Sequence, residues 1–188
     1  IFILAGGVIG VTGFLTLDLL FTYFWFIGIT NALNMLDNMD GLASGVAIIA
    51  LGSNAFLIHT TAGGDQPGIG FFIGLTLIAS TLGFWMFNRP PASIFMGDSG
   101  ALFLGYVLAA LTMPSSLNGY LGVKGLAPLM TLIVPATVLA VPIFDTTLVT
   151  VTRQLRAQPA VVGGKDHSSH RLVGLGLPEW GAVWTLYL

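Results

Sequence analysis

The chain contains no cysteine, which excludes a disulfide scaffold, a thiolate metal site and a cysteine nucleophile. Charge is almost as scarce. Six Lys or Arg and eight Asp or Glu account for 7% of the 188 residues, against about 25% in an ordinary water-soluble domain. A surface facing water on every side cannot be built from that supply. With so few basic residues there is no electrostatic footprint for nucleic acid, and no nucleic-acid partner is expected. Apolar residues fill the gap, at 55% of the chain and a mean hydropathy of +0.90. The class that remains is an all-α polytopic integral membrane protein, with the lipid bilayer as its first partner.

A spanning helix needs roughly 20 mostly apolar residues, since about 1.5 Å of rise per residue must cross about 30 Å of hydrocarbon. Five such runs are readable, near Thr16–Leu36, Leu42–Thr61, Ile69–Phe87, Ala101–Met113 with extensions, and Leu126–Val151. A sixth begins near Pro178. Five to six transmembrane helices are therefore expected, forming one membrane domain over residues 1–188. Turn-forming linkers separate them, among them Gly63-Gly64-Asp65-Gln66-Pro67-Gly68, Asn88-Arg89-Pro90-Pro91 and Gln158-Pro159 followed by Gly163-Gly164. No basic stretch precedes the first apolar segment, so no signal peptide is read there. With Ile1 first and Leu188 inside an apolar run, both ends read as cut.

Lys and Arg are retained on the cytoplasmic side of short loops. Alternating loops place Arg89, Arg153, Arg156, Lys165 and Arg171 on one side and Lys124 alone on the other. The richer side is taken as cytoplasmic, and it also receives Asp37, Asp40, Asp98 and Asp166. Asp18, Asp65 and Lys124 are assigned to the outer loops. Asp145 falls inside the fifth run, where a charge is costly unless paired or hydrated.

Three polar clusters stand out on the basic side. The first runs from Asn31 through Asn34, Asp37, Asn38 and Asp40 to Gly41-Leu42; on a helix Asn34, Asp37 and Asn38 share a face, with Asp40 within reach. A lone Asp-Gly would be a helix end, but four amide or carboxylate side chains at the edge of hydrocarbon call for a ligand. The second is Asn88-Arg89-Pro90-Pro91-Ala92-Ser93-Ile94-Phe95-Met96-Gly97-Asp98-Ser99-Gly100. Asp98 directly precedes an apolar run and fits a helix N-cap, a position from which it can still lend an oxygen to a metal. Gly-Asp-Ser-Gly also occurs around the nucleophile of trypsin-like proteases, but those are disulfide-bearing β-barrels. The third, Gly163-Gly164-Lys165-Asp166-His167-Ser168-Ser169-His170-Arg171-Leu172, offers imidazoles and cations for phosphate oxygens; taken alone it is equally a solvated loop. His167 and His170 lack the further ligands that zinc needs. His59, near the outer end of the second run, is taken as structural. Asp37, Asp40 and Asp98 supply hard oxygens suited to Mg²⁺, which binds through one or two carboxylates plus substrate phosphates. Carboxylates, Mg²⁺ and basic loops on one face fit chemistry on a pyrophosphate substrate.

Together the clusters resemble the polyprenyl-phosphate N-acetylhexosamine-1-phosphate transferase family. Asn31–Leu42 is similar to its Asn-x-x-Asn-x-x-Asp-Gly-x-Asp-Gly-Leu segment, Asn88–Leu104 to its Ile-Phe-Met-Gly-Asp-Ser-Gly segment, and Asp166–Leu172 to its His-rich loop, so that the resemblance covers about Phe14 to Leu177. Ile94–Gly100 and the absence of a triple His run are more similar to the branch using UDP-N-acetylglucosamine than to the one taking UDP-N-acetylmuramoyl-pentapeptide. The resemblance implies transfer of a sugar 1-phosphate from a UDP-N-acetylhexosamine to polyprenyl phosphate, with release of UMP, at the cytoplasmic face of the cell membrane. It implies Mg²⁺, replaceable by Mn²⁺, held by Asp98. Asp37, Asp40, His167 and His170 would be catalytic, and Asn31, Asn34, Asn88, Arg89 and Arg171 would bind substrate; a homodimer is a further expected association. Two positions depart from the family pattern: Asn38 stands where Gly is usual, and Ser169 where His is frequent. The family's paired aspartates of an earlier loop have no counterpart, so the chain is expected to be the C-terminal part of a larger transferase and inactive alone. The competing classes are a phospho-N-acetylmuramoyl-pentapeptide transferase-like enzyme and a transporter. A transporter calls for polar residues near the bilayer midplane and for related halves, whereas here the polar residues gather at one edge and no repeat is found.

Overall fold

A computed structural model describes residues 12, 14–61, 68–112, 135–157 and 166–188. Every regular element among them is a helix: α1 (Leu15–Leu36), α2 (Leu42–Thr61), α3 (Ile69–Asn88), α4 (Gly97–Leu111), α5 (Ala140–Leu155), α6 (Ser168–Gly174) and α7 (Glu179–Tyr187). The opening stretch and the linkers at 62–67, 113–134 and 158–165, with Asp65, Lys124 and Lys165, lie outside the described residues. Two helices, α1 and α3, are long and apolar enough to cross a membrane, while Leu42–Leu57 of α2 and α4 are shorter apolar stretches.

Two boundaries differ from those read in the sequence. Helix α4 starts at Gly97 and ends at Leu111, so its 15 residues rise only about 22 Å. The helix has grown backward into the polar segment, leaving Met96 at the N-cap and Asp98 in the first turn; the expected capping role of Asp98 is therefore corrected. The fifth run is not continuous either. A helical turn at 135–138 is interrupted at Leu139 before α5 begins, because Pro142 has no N–H to offer the carbonyl of Val138. Asp18 is also relocated: it is buried in the first turn of α1, not in a loop, where its Oδ1 accepts bonds from the Thr12 amide at 2.9 Å and hydroxyl at 2.8 Å.

Packing follows from small residues. On α4 the buried positions Ala101, Gly105 and Ala109 recur every four residues and form a stripe along one face. It lets α4 press against α1 so closely that a Cβ on Gly105 would lie 2.8 Å from the Thr30 Cα. Helices surrounded by lipid gain little from hydrophobic burial and depend on such close contacts. From α1, Ile29, Leu33 and Leu36 repeat at helical spacing and meet Leu42, Val46 and Ala50 of α2 in the same buried cluster. The last carbonyls of α4 are satisfied from its neighbours, with Trp25 Nε1 donating to the Ala109 carbonyl at 3.2 Å and Asn54 Nδ2 to that of Leu111 at 3.0 Å.

Helix α3 inverts the pattern of a soluble helix. Its buried residues are Gly74, Thr81 and Asn88, one every seven positions, while Ile69, Phe72, Ile73, Leu82 and Phe87 are exposed. A helix that turns its small and polar face inward and its large apolar face outward is built for a surround of hydrocarbon.

Candidate functional site

The site forms where the ends of α1 and α3 and the starts of α2, α4 and α6 meet. Helix α1 stops at Leu36, so Asp37, Asn38 and Asp40 lie on a turn beyond it and not on the helical face expected for Asp37 and Asn38. Gly41 closes the turn with φ +76, a left-handed conformation that side-chain-bearing residues avoid. A Cβ there would also sit 3.2 Å from the Arg89 Cα. The Gly41 carbonyl accepts from the Gly45 amide at 2.9 Å and from the Tyr187 hydroxyl of α7, with the Ser44 hydroxyl, whose proton goes to Asn88 Oδ1 at 2.7 Å, lying 3.2 Å away.

Four contacts or shared walls bring the three sequence clusters together. Asn34 Nδ2 donates to Asp98 Oδ1 at 3.1 Å. Asp40 Oδ2 accepts the Ala92 amide at 2.9 Å. Ser169 Oγ donates to Asn38 Oδ1 at 2.6 Å, while Asn38 Nδ2 donates to the Met35 carbonyl at 2.9 Å. Finally, Asn38, Asp40, Pro90, His170 and Glu179 line one cavity of about 140 Å³. Residues from 34 to 179 thus share one patch, although 131 positions separate Asn38 from Ser169.

Electrostatics mark the same patch as electron-rich. Asp37 is half-buried, and its carboxyl is held above the usual range by burial first, then by the charges of Asp98 and Asp40. Among the described residues no three His, Cys, Asp or Glu side chains converge as a closed metal cage. One or two carboxylates beside an open face is the donor set that Mg²⁺ takes when phosphates and water complete its shell.

Other residues singled out in the sequence are placed differently. Asn88 is buried and its amide is engaged on both sides, accepting from Ser44 Oγ at 2.7 Å and donating to the Ile94 carbonyl at 3.0 Å. Asn31 bonds to its own helix, at the Ile27 carbonyl. Arg89 lies over Trp85, 5.9 Å from the ring centre, and lines a separate cavity of about 540 Å³ with Pro90, Trp180, Trp184 and Tyr187. Arg171 donates to the Asp166 carbonyl and to Thr152 Oγ1. His59 is near Phe71, with ring centres 6.1 Å apart.

His167 is buried, unlike a residue of a solvated loop. Its Nδ1 faces Asp145 Oδ2 at 2.7 Å, and Asp145 Oδ1 accepts both the Ser168 amide at 2.7 Å and the Ser168 hydroxyl at 2.6 Å. The charge that looked costly inside the fifth run is therefore fully partnered. Upstream, Asp166 accepts from Arg153 at 3.1 Å and Arg156 at 3.2 Å. Glu179, which joins His170 at the small cavity, went unnoticed in the sequence; its only local signal is a position just after Pro178.

The sequence is similar to those of known proteins. The family model described as glycosyl transferase family 4 matches residues 2–116. The Bacillus subtilis (strain 168) protein named "Probable undecaprenyl-phosphate N-acetylglucosaminyl 1-phosphate transferase" is 41% identical over 167 residues, covering 89% of this chain and 44% of that protein. Phospho-N-acetylmuramoyl-pentapeptide-transferases match over a shorter stretch. The one from Limosilactobacillus reuteri (strain DSM 20016) is 44% identical over 97 residues, 50% of this chain and 29% of the relative. The one from Staphylococcus epidermidis is 39% identical over 94 residues, with 50% and 28% covered. The chain spans less than half the length of these curated relatives. The family model covers residues 2–116, more than half of the 188 residues, and the chain belongs to glycosyl transferase family 4.

Proposed function

We propose that the full-length protein transfers a sugar 1-phosphate, GlcNAc-1-phosphate in the first instance, from a UDP-sugar to polyprenyl phosphate and releases UMP. The observation that carries this is the convergence of the three segments, through Asn34 with Asp98, Asp40 with Ala92 and Asn38 with Ser169. The longer match to the N-acetylglucosaminyl 1-phosphate relative favours GlcNAc over a muramoyl-pentapeptide donor. Bound at Asp98, Mg²⁺ would neutralise charge on the pyrophosphate and on the departing UMP. Asn34 orients Asp98, Asp37 and Asp40 keep the turn electron-rich towards a bound cation, and His170 reaches the same cavity as Asp40. The polyprenyl phosphate oxygen would attack the sugar-linked phosphorus.

The site faces the cytoplasm in this proposal, supported by the excess of basic residues on its side. The inverted surface of α3 supports a multi-pass protein in the cell membrane, and homodimerisation is retained as part of it. The test is release of UMP and formation of lipid-linked product by the full-length protein with Mg²⁺, with UDP-N-acetylglucosamine and UDP-N-acetylmuramoyl-pentapeptide offered in parallel. Release of UMP from neither donor removes the enzymatic proposal. Turnover of the pentapeptide donor alone assigns the other branch.

A further inference from the structure

We infer that Asp145 is a positioning residue that fixes the ring of His167 in its Nδ1–H form and docks the loop carrying His167 and His170 against α5. For its kinetic consequence the inference rests on the transferase proposal; for the state of the ring it rests on geometry alone. Asp145 is buried, with one oxygen, Oδ1, accepting two bonds from Ser168 and the other 2.7 Å from His167 Nδ1. A carboxylate is an acceptor, so the nitrogen facing it carries the proton, and Nε2 is the ring nitrogen that Asp145 leaves to other partners. A buried charge of this kind persists where its bonds are complete, and here the partners come from a different element, 22 and 23 positions away. Two more anchors hold the loop on either side: Arg153 and Arg156 grip Asp166, and Asn38 holds Ser169. Asp145 touches neither the small cavity nor Asp98, which separates positioning from contact with substrate.

The discriminating variant is Asp145→Asn. The Ser168 amide can only donate, and the Ser168 hydroxyl donates to the same oxygen, so the new side chain keeps its oxygen towards Ser168 and turns its NH₂ towards His167. Nδ1 must then accept, and the proton moves to Nε2. Nitrogen-15 histidine NMR of the full-length protein in detergent or nanodiscs reads this directly, with the His167 signal assigned by its loss in His167→Gln. The expected results are Nδ1–H in the native protein and Nε2–H in Asp145→Asn. In the variant, kcat for UMP release should fall about 10- to 100-fold, as when orienting partners are lost elsewhere, with KM for the UDP-sugar changed less than about twofold and the melting temperature preserved. An Nε2–H ring in the native protein overturns the inference, as does a native kcat in Asp145→Asn. Should that variant not fold, the native spectrum alone decides. If the native protein releases no UMP, the transferase proposal fails while the spectrum still decides this one.

Discussion

Ser169 donates its hydroxyl proton to the side-chain oxygen of Asn38 at 2.6 Å, so the two positions that depart from the family pattern are bonded to each other. The turn after α1 and the start of α6 are joined through this one contact. Asn38→Ala and Ser169→Ala should each cost about 1 kcal/mol of stability. The double variant should cost clearly less than their sum, since both remove the same bond. Denaturation of the full-length protein in a mild detergent, run as a double-mutant cycle, measures this; strict additivity would mean that the contact carries no energy.

Asp37 yields a pH prediction. Its carboxyl is raised by burial and by Asp98 and Asp40, so the folded protein binds the proton more tightly than the unfolded chain. The stability this gives is present below the ordinary carboxylate pKa of about 4 and is lost as pH rises through the higher folded value. In metal-free buffer at pH 7, Asp37→Asn should therefore melt at a higher temperature than the native protein. The advantage should vanish as the pH is lowered below the ordinary carboxylate range. An Asp37→Asn protein less stable at both pH values would indicate that the carboxylate is stabilised by something other than a bound cation.

Replacing Asp98 by Asn keeps a side-chain oxygen for the Asn34 amide but removes the charge that would hold Mg²⁺. Folding should survive, while UMP release should fall by at least 100-fold and cease to respond to added Mg²⁺. Turnover at the native rate would remove Asp98 from the metal site.

Gly105→Leu tests the contact between α1 and α4. No side chain fits between Gly105 and the Thr30 backbone without moving a helix, and overpacking of this kind costs about 1–3 kcal/mol. The expected readout is a lower melting temperature in detergent. Gly74→Leu on the neighbouring helix is a useful comparison, because a Cβ there meets nothing within 4 Å.

Sidedness has its own test. A Ser168→Cys thiol in otherwise cysteine-free protein should be reached by a membrane-impermeant reagent only after cytoplasmic access is opened and the loop loosened, since Ser168 is buried. Labelling from outside intact cells would reverse the orientation.

The motif segments were legible because polar residues are so rare here that their spacing cannot be background, and Asp145 announced its need for a partner by sitting in an apolar run. What could not be read was who meets whom. His167 and Ser168 reach Asp145 through a change of chain direction, and nothing local to Asn38 points to Ser169. Asp98 was misplaced as a cap because hydropathy detects where a helix becomes apolar; α4 begins earlier, with its polar residues turned to the site. Hydropathy likewise counts length and is blind to a missing amide, so the break before Pro142 was invisible. Asn88 looked like a ligand-binding amide because sequence gives residue type without direction.

The hold of Tyr187 on the Gly41 carbonyl links the turn of the first motif to a residue made 146 positions later. A ribosome that has delivered all three motifs has still not delivered the hydroxyl that closes this turn. The turn therefore lacks this tether until α7 has been made and packs against α2. A chain stopped just short of Tyr187 would carry every motif residue and still leave the Asp37–Gly41 turn without its last tether.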